Sequence, residues 1–183
     1  MKQEIVIAGF GGQGVLSMGM TLAYGGMVEN KDVSWMPSYG PEMRGGTANC
    51  TVILNDEKIS SPIINSFDTA IILNQPSMAK FESKVKPGGQ IIYESNNILT
   101  PPTRSDITIL DIPANKEAVK LNIKRVMNMI ILGTYLGLNP VLKIESILKA
   151  LTKVLPGRHH HLIPINQQAL ERGMELATQP TIM

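Results

Sequence analysis

The chain has 183 residues, 43% hydrophobic and 17% charged, with 17 Lys and Arg against 15 Asp and Glu for a formal net charge of +2. That length suits one domain over residues 1–183 with a sizeable core, and so small a charge gives no footprint for nucleic acid or an anionic membrane surface. The lone cysteine, Cys50, excludes an internal disulfide and cannot hold an iron–sulfur cluster, which needs several thiolates. No signal peptide precedes the first strand pattern. No apolar run reaches the roughly 18–20 residues of a membrane span; Asn128, Gly133 and Thr134 interrupt even Val126–Leu138. The expectation is a cytoplasmic protein without a membrane or nucleic-acid partner, whose low charge leaves apolar surface for another subunit.

Glu4–Ala8 reads as a strand, and Gly9, Gly11 and Gly14 then fit G-x-G-x-x-G before a helix from about Val15 to Val28. Asp32–Met36 follows as a second strand with the βαβ spacing of a parallel sheet. Pro37 to Gly46 reads as a loop. Thr47–Leu54 alternates as a strand, with Asn55-Asp56 as a hairpin turn into Lys58–Ser60. Thr69–Leu73, Gln90–Tyr93 and Ile107–Asp111 are short apolar strands, Ser77–Val85 a helix, and Pro87-Gly88-Gly89 the turn back into the sheet. After Pro113, three helices are predicted: Asn115–Leu138, Lys143–Leu155 and Asn166–Ala177, with Asn115 and Asn166 as N-caps. The result is an α/β chain, sheet-rich first and helical at its end.

The glycine stretch after a strand can serve phosphate binding, because the turn lets a ligand approach and the next helix presents free N–H groups. Its other reading is a crossover that needs glycine for packing alone. A dinucleotide site would add a carboxylate at the end of the second strand, but that strand ends Ser34-Trp35-Met36-Pro37-Ser38. Glu29 and Asp32 lie before it, so an NAD(P)-binding dehydrogenase is disfavoured. A second constellation is Ser38-Tyr39-Gly40-Pro41-Glu42-Met43-Arg44-Gly45-Gly46-Thr47, which a parallel sheet would place beside the glycine turn. Arg44 offers a guanidinium fork for phosphate or carboxylate, and Gly45 and Gly46 let the backbone approach closely. His159, His160 and His161 are consecutive and read as a solvated loop, not a metal site; Cys50 reads as a small buried hydrophobe. No pattern of nucleophile, base or paired acids appears, so no catalytic residue is assigned.

Together, GFGGQG near the start and YGPEMRGGTANCTV after it resemble the gamma subunit of the 2-oxoacid:ferredoxin oxidoreductases, most of all the 2-oxoglutarate type. The likeness continues through Ser61-Pro62, KPGGQII at Lys86–Ile92, Asn128-Met129 with Gly133, and LIPIN followed by ALERG at Leu162–Gly173. It implies a three-layer αβα Rossmann-like domain with a mainly parallel sheet, a β-hairpin and a helical C-terminal part. It implies a share in the coenzyme A-dependent oxidative decarboxylation of a 2-oxoacid, with coenzyme A as the co-substrate at this subunit. Thiamine diphosphate, magnesium and iron–sulfur clusters are expected on partner subunits only. Those partners are alpha and beta subunits, with a delta subunit left open, and ferredoxin through the complex; the isolated chain could also pair with itself. Under this resemblance Gly9, Gly11, Gly12, Gln13 and Gly14 meet the diphosphate, while Ser38, Tyr39, Met43, Arg44, Gly45 and Gly46 line the adjoining crevice. The alternative is a purely structural assembly subunit.

Overall fold

The structure is a computed structural model that describes residues 1–39, 46–123 and 126–178. Six strands form one sheet: β1 (Lys2–Phe10), β2 (Asp32–Tyr39), β3 (Thr47–Asn55), β4 (Phe67–Ile72), β5 (Val85–Glu94) and β6 (Thr108–Ile112). Their spatial order is β2-β3-β1-β4-β5-β6; β1, β4, β5 and β6 run parallel, and β3 is antiparallel to both β1 and β2. The helices described are α1 (Val15–Val28), α2 (Gln75–Phe81), α3 (Ala114–Lys120), α4 (Met127–Leu138), α5 (Ile144–Val154) and α6 (Ile163–Thr178).

Alternation along β1 builds the layers, since neighbouring side chains leave a strand on opposite faces. Ile5 and Ile7 meet Met18 and Leu22 of α1 together with Ile131 and Tyr135 of α4, whereas Val6 and Ala8 meet Met78 and Phe81 of α2. Helices α1, α3, α4, α5 and α6 thus cover one face, and α2 covers part of the other. This is the expected αβα arrangement with a mainly parallel sheet.

Several local expectations are corrected. β2 does not lie beside β1, because β3 runs back between them. The hairpin is β2–β3, and Lys58–Ser60 forms no strand. Asp56 is held instead by the Lys31 ammonium at 2.6 Å and by the terminal ammonium, and Asp32 Oδ2 accepts the Ile59 N–H at 2.6 Å. These contacts turn the chain across the start of β2. β2 also runs on through Pro37, Ser38 and Tyr39, where the sequence pattern predicts a loop; an edge strand tolerates a proline. Pro87-Gly88-Gly89 is a bulge within β5, with Gly88 at φ 75°: Val85 pairs with Phe67, but the next pairing is Gln90 with Thr69. Lys86 anchors the bulge through Glu4 Oε2 at 2.5 Å and Asp68 Oδ1 at 2.7 Å.

The helix read over 115–138 is two helices, α3 and α4, divided after Asn122 turns left-handed at φ 55°. Asn115 is no N-cap. It lies inside α3, where Pro113 precedes the helix without a side-chain acceptor, and its N–H donates to Glu94 Oε1 at 3.1 Å. The fully buried Glu94 therefore does from β5 what a cap residue would do locally. α6 likewise begins earlier than expected, so Asn166 sits in its first turn and donates from Nδ2 to the Leu162 carbonyl at 2.8 Å.

Helices α4 and α6 cross with backbone against backbone. A methyl on Gly133 would fall inside the Leu170 carbonyl oxygen, and one on Gly173 inside the Ile130 carbonyl oxygen. Neither oxygen can move without parting the helices, so Gly133→Ala should lower stability by about 1–3 kcal/mol or more, read as a fall in the urea midpoint; an unchanged midpoint would refute the close crossing.

Two buried carboxylates give a second expectation. Burial alone would raise the pKa of Glu4, but hydrogen bonds from Lys2 and Lys86 hold it below its ordinary 4.5. Burial opposes and Lys120 and Arg172 outweigh it in the same way at Glu117, which joins α3 to α6 through Arg172 Nε at 2.8 Å. A native pKa below the unfolded one adds stability above the unfolded value and loses it as pH falls through the native value. Unfolding titrations from about pH 5 down to about pH 3 should show this loss, and Glu4→Gln with Glu117→Gln should flatten the slope.

Candidate functional site

The carboxyl end of β1 passes through Gly11–Gly14 into α1. Gly12 and Gly14 take the left-handed backbone, at φ 94° and 79°, which costs any other L-residue about 1–2 kcal/mol. Gly14 is the N-cap of α1 and brings no side chain to satisfy the first turn. The first hydrogen bond of the helix runs from the Met18 N–H to the Gly14 carbonyl at 2.9 Å, so the N–H groups ahead of it in α1 lack an intrahelical acceptor. Unsatisfied N–H groups and the helix dipole together favour an anion there.

Not every loop amide is free for this. The Gly11 N–H donates to the Gly46 carbonyl at 3.0 Å, and the Gln13 N–H to the Phe10 carbonyl at 3.2 Å. Gly11 and Gln13 thus hold the loop in shape, which leaves Gly12, Gly14 and the first turn of α1 as its donors. The Gln13 side chain is a clamp as well: Oε1 accepts the Phe10 N–H at 2.6 Å and Nε2 donates to the Leu73 carbonyl at 3.1 Å, spanning β1 to the end of β4. Gly9 makes room for it, since a Cβ there would sit 2.6 Å from Gln13 Oε1.

Asn128, on the first turn of α4, lies directly on the loop. Its Nδ2 donates to Ser17 Oγ at 3.4 Å, Ser17 Oγ donates to the Gly14 carbonyl at 3.0 Å, and a Cβ on Gly14 would lie 2.5 Å from Asn128 Nδ2. Beside this contact opens a cleft of about 1100 Å³, walled by α1, α3, the start of α4, the end of α5 and the start of α6. Gly12–Gly14 after β1, Asn97 after β5 and Asn115 after β6 all line it. That is the carboxyl edge of the parallel strands, where open α/β sheets bind ligands. Its polar side chains are neutral amides and hydroxyls, among them Asn97, Asn115, Asn128, Asn166 and Ser17, and no charged group lines it among the described residues.

A smaller depression of about 270 Å³ lies on the other flank of the same loop, between Phe10, Gly11, Gly12, Leu16 and Tyr39. The register explains it: Tyr39 pairs with Ala48, which pairs with Gly9. Tyr39 is 70% exposed. Ser38 is exposed too, but alternation sends its side chain to the opposite face. Of the expected site residues, Gly9, Gly11, Gly12, Gln13, Gly14, Tyr39 and Gly46 come together, Ser38 faces elsewhere, and Met43, Arg44 and Gly45 lie outside the described residues. Asn128, Asn115 and Asn97 were not expected at the site. Asn115 looked like a cap, and nothing in the sequence tells a reader that α3 breaks before α4 and turns these amides towards the loop.

The surroundings weigh against a dinucleotide. The strand beside β1 on that flank is the antiparallel β3, which brings Thr47 and Ala48 to the loop and no acid. Asp32 is at the far end of β2, and Glu29 Oε1 accepts the Lys143 N–H at 2.6 Å. Cys50 is buried in β3, and burial pushes its thiol up to about 12. The three histidines fall in a 3-10 turn over Gly157–Leu162, and no group of three or more His, Cys, Asp or Glu that could hold a metal occurs among the described residues. Among the described residues no helix is long and apolar enough to cross a membrane.

Residues 4–176 match the model of the pyruvate ferredoxin/flavodoxin oxidoreductase family. The chain belongs to that family. Ketoisovalerate oxidoreductase subunit VorA of Methanothermobacter thermautotrophicus is 38% identical over 96% of the chain, which spans only 36% of that protein's length. The 2-oxoglutarate synthase subunit KorC of Methanocaldococcus jannaschii is 31% identical over 98% of the chain and 96% of its own. The crystal structure of the keto/oxoacid ferredoxin oxidoreductase gamma subunit from Geobacter sulfurreducens superimposes with a TM-score of 0.76 at 28% identity, over 96% of this chain and 98% of that one.

The Gly14–Asn128 contact is directly testable. Gly14→Ala should destabilise the chain by more than the about 1–2 kcal/mol of its left-handed backbone, and an Asn128→Ala background should recover the excess. A double-mutant cycle in urea reads the coupling; strict additivity would show that the two residues do not meet.

Proposed function

We propose that this chain is the gamma subunit of a multi-subunit 2-oxoacid:ferredoxin oxidoreductase, and that its share of the reaction is to bind and orient coenzyme A. The reaction is the oxidative decarboxylation of a 2-oxoacid: the acyl group passes to the coenzyme A thiol, carbon dioxide leaves, and two electrons go to ferredoxin. The observation that carries the reading is the start of α1, where Gly12 and Gly14 and the first helical turn present free N–H groups at the mouth of the large cleft. Coenzyme A brings a diphosphate, an anion suited to such a place. Holding its thiol near the acyl centre replaces a bimolecular encounter with a local one. Arg44, which follows β2 in the sequence, is the residue assigned to neutralise phosphate charge or contact the pantetheine arm. The chemistry itself belongs to alpha and beta partner subunits carrying thiamine diphosphate, magnesium and iron–sulfur clusters, in a cytoplasmic complex.

The proposed substrate is 2-oxoglutarate, supported by the full-length similarity to a 2-oxoglutarate synthase subunit. The higher identity to a ketoisovalerate oxidoreductase subunit makes a branched 2-oxoacid the second reading. Acyl-CoA formation by the assembled complex from 2-oxoglutarate and from ketoisovalerate decides between them.

Titration of the assembled complex with coenzyme A should show saturable binding that NADH does not match, weakened about tenfold or more by Gly12→Val, through backbone strain and a blocked approach. Arg44→Ala should raise the coenzyme A requirement and spare decarboxylation. Loss of decarboxylation in the absence of coenzyme A would move Arg44 to a subunit interface, and unaltered binding in both variants would favour the purely structural subunit.

A further inference from the structure

Most helices of this chain carry charge on the side that meets water: Lys80 of α2, Lys116 of α3, Lys149 of α5 and Glu171 of α6 are all exposed. Helices α1 and α4 contain no charged residue. For α4 the reason is plain, because it lies between the sheet and α6 and none of its residues is exposed. The inner side of α1 is covered too, with Gly26 against Leu54 and Val33 and Gly25 against Ile147 of α5. Its outer side is bare. Tyr24, Met27 and Val28 are exposed there, 59% in the case of Met27. With the half-buried Leu16, Ser17 and Met20 they occupy one arc of roughly 120°, at 3.6 residues per turn. Only Ser17 in that arc is not apolar. A helix that is apolar all round belongs in an interior, and among the described residues nothing in this chain covers the outer arc of α1. We infer, resting on the multi-subunit reading above, that this arc is the docking face for a partner subunit, centred on Tyr24, Met27 and Val28.

Two observations choose the occupant. The first is the border of the arc. Val28 adjoins a groove of about 720 Å³ against the start of α5, where Glu29, Glu145, Lys143 and Lys149 stand together. An apolar centre with a polar rim is the anatomy of a protein–protein contact. Charges of both signs suit a polypeptide, whereas an anionic membrane would call for a basic rim. The second is length. In the VorA relative, a region like this chain makes up 36% of a longer polypeptide, so the remainder is tied to it covalently. In the KorC relative the likeness fills 96% of the protein. A subunit equivalent to the VorA remainder therefore has a precedent for lying against this fold, which a second copy of the chain does not share. The arc begins at Leu16, in the first turn of α1 directly behind the glycine loop. A subunit seated on it is held beside the anion-binding end of the same helix.

The test co-produces the enzyme's subunits with the chain unaltered or carrying Met27→Lys or Tyr24→Asp. Leu99→Lys is the control, at an exposed residue beside α2 on the other face of the sheet, where the Leu99 N–H donates to Gln75 Oε1. Dissociation of the complex on dilution, read by analytical ultracentrifugation, should strengthen about tenfold or more in both α1 variants, since each buries a charge without a partner, and stay within about twofold in the control. The replaced side chains are exposed in the chain itself, so its urea midpoint should hold, which separates lost docking from lost folding. A photo-crosslinking residue in place of Met27 should join the subunit whose sequence matches the VorA remainder. Complexes as tight as the unaltered one in both α1 variants would overturn the inference. So would normal assembly in which Met27→Lys instead splits a dimer of the chain, placing a second copy on the face, or abolishes its sedimentation with phosphatidylserine vesicles, placing a membrane there. An unaltered chain that joins no subunit of the enzyme would refute the multi-subunit function on which the docking face rests.

Discussion

The site depends on one steric constraint, the bare backbone contact between α4 and α6. Gly133 and Gly173 face each other so closely that neither could carry a methyl. That crossing sets how deep α4 lies against the sheet, where Ile130, Ile131 and Tyr135 are fully buried. The depth of α4 in turn places Asn128, at its first turn, on Gly14. A glycine pair in the helical layer thereby defines both the roof of the glycine loop and one wall of the cleft beside it. Interiors are packed too tightly to absorb such a shift gradually, so a change at the crossing is felt at the loop.

The reversed strand β3 is the second determinant. In a dinucleotide fold the strand next to β1 ends at the glycine loop with a carboxylate for the ribose. Here β3 arrives with its amino end at that place, and Gly46 uses its carbonyl to hold the Gly11 N–H. The same reversal moves β2 one position outwards, so that Tyr39 reaches the loop's outer flank from the edge of the sheet. Among the described residues, neither β2 nor β3 brings a carboxylate to the glycine loop.

How much of this could be read in the sequence follows from which signals are local. The strand–glycine–helix unit, the burial of Cys50, helix α5 and the change to helices after Pro113 are carried by short-range pattern and turn chemistry. The order of strands is not, because β3 pairs with β1 across a long sequence separation, from Lys2 with Asn55 to Phe10 with Thr47. The break between α3 and α4 was invisible for a related reason. Leu121–Val126 continues an acceptable helical pattern, and Asn122 turns left-handed only in the folded chain. Glu94 illustrates the limit well: it caps α3 from another strand, so the cap at Asn115 that periodicity suggested was not required.

The character of the cleft suits ligand binding. Among the described residues, the cleft beside the loop is lined by side-chain amides, hydroxyls and apolar groups and by no charged side chain. The one thiol is sealed in β3 between α1 and Trp35, where burial keeps it protonated. Such a lining can select a ligand by hydrogen-bond pattern and hold an anion at the helix start. The grip of such a site on a ligand grows with the stiffness of its frame. That stiffness is what the Gln13 clamp, the Asn128 contact and the α4–α6 crossing have in common: each removes a degree of freedom from the loop before any ligand arrives, so less ordering is left to oppose binding.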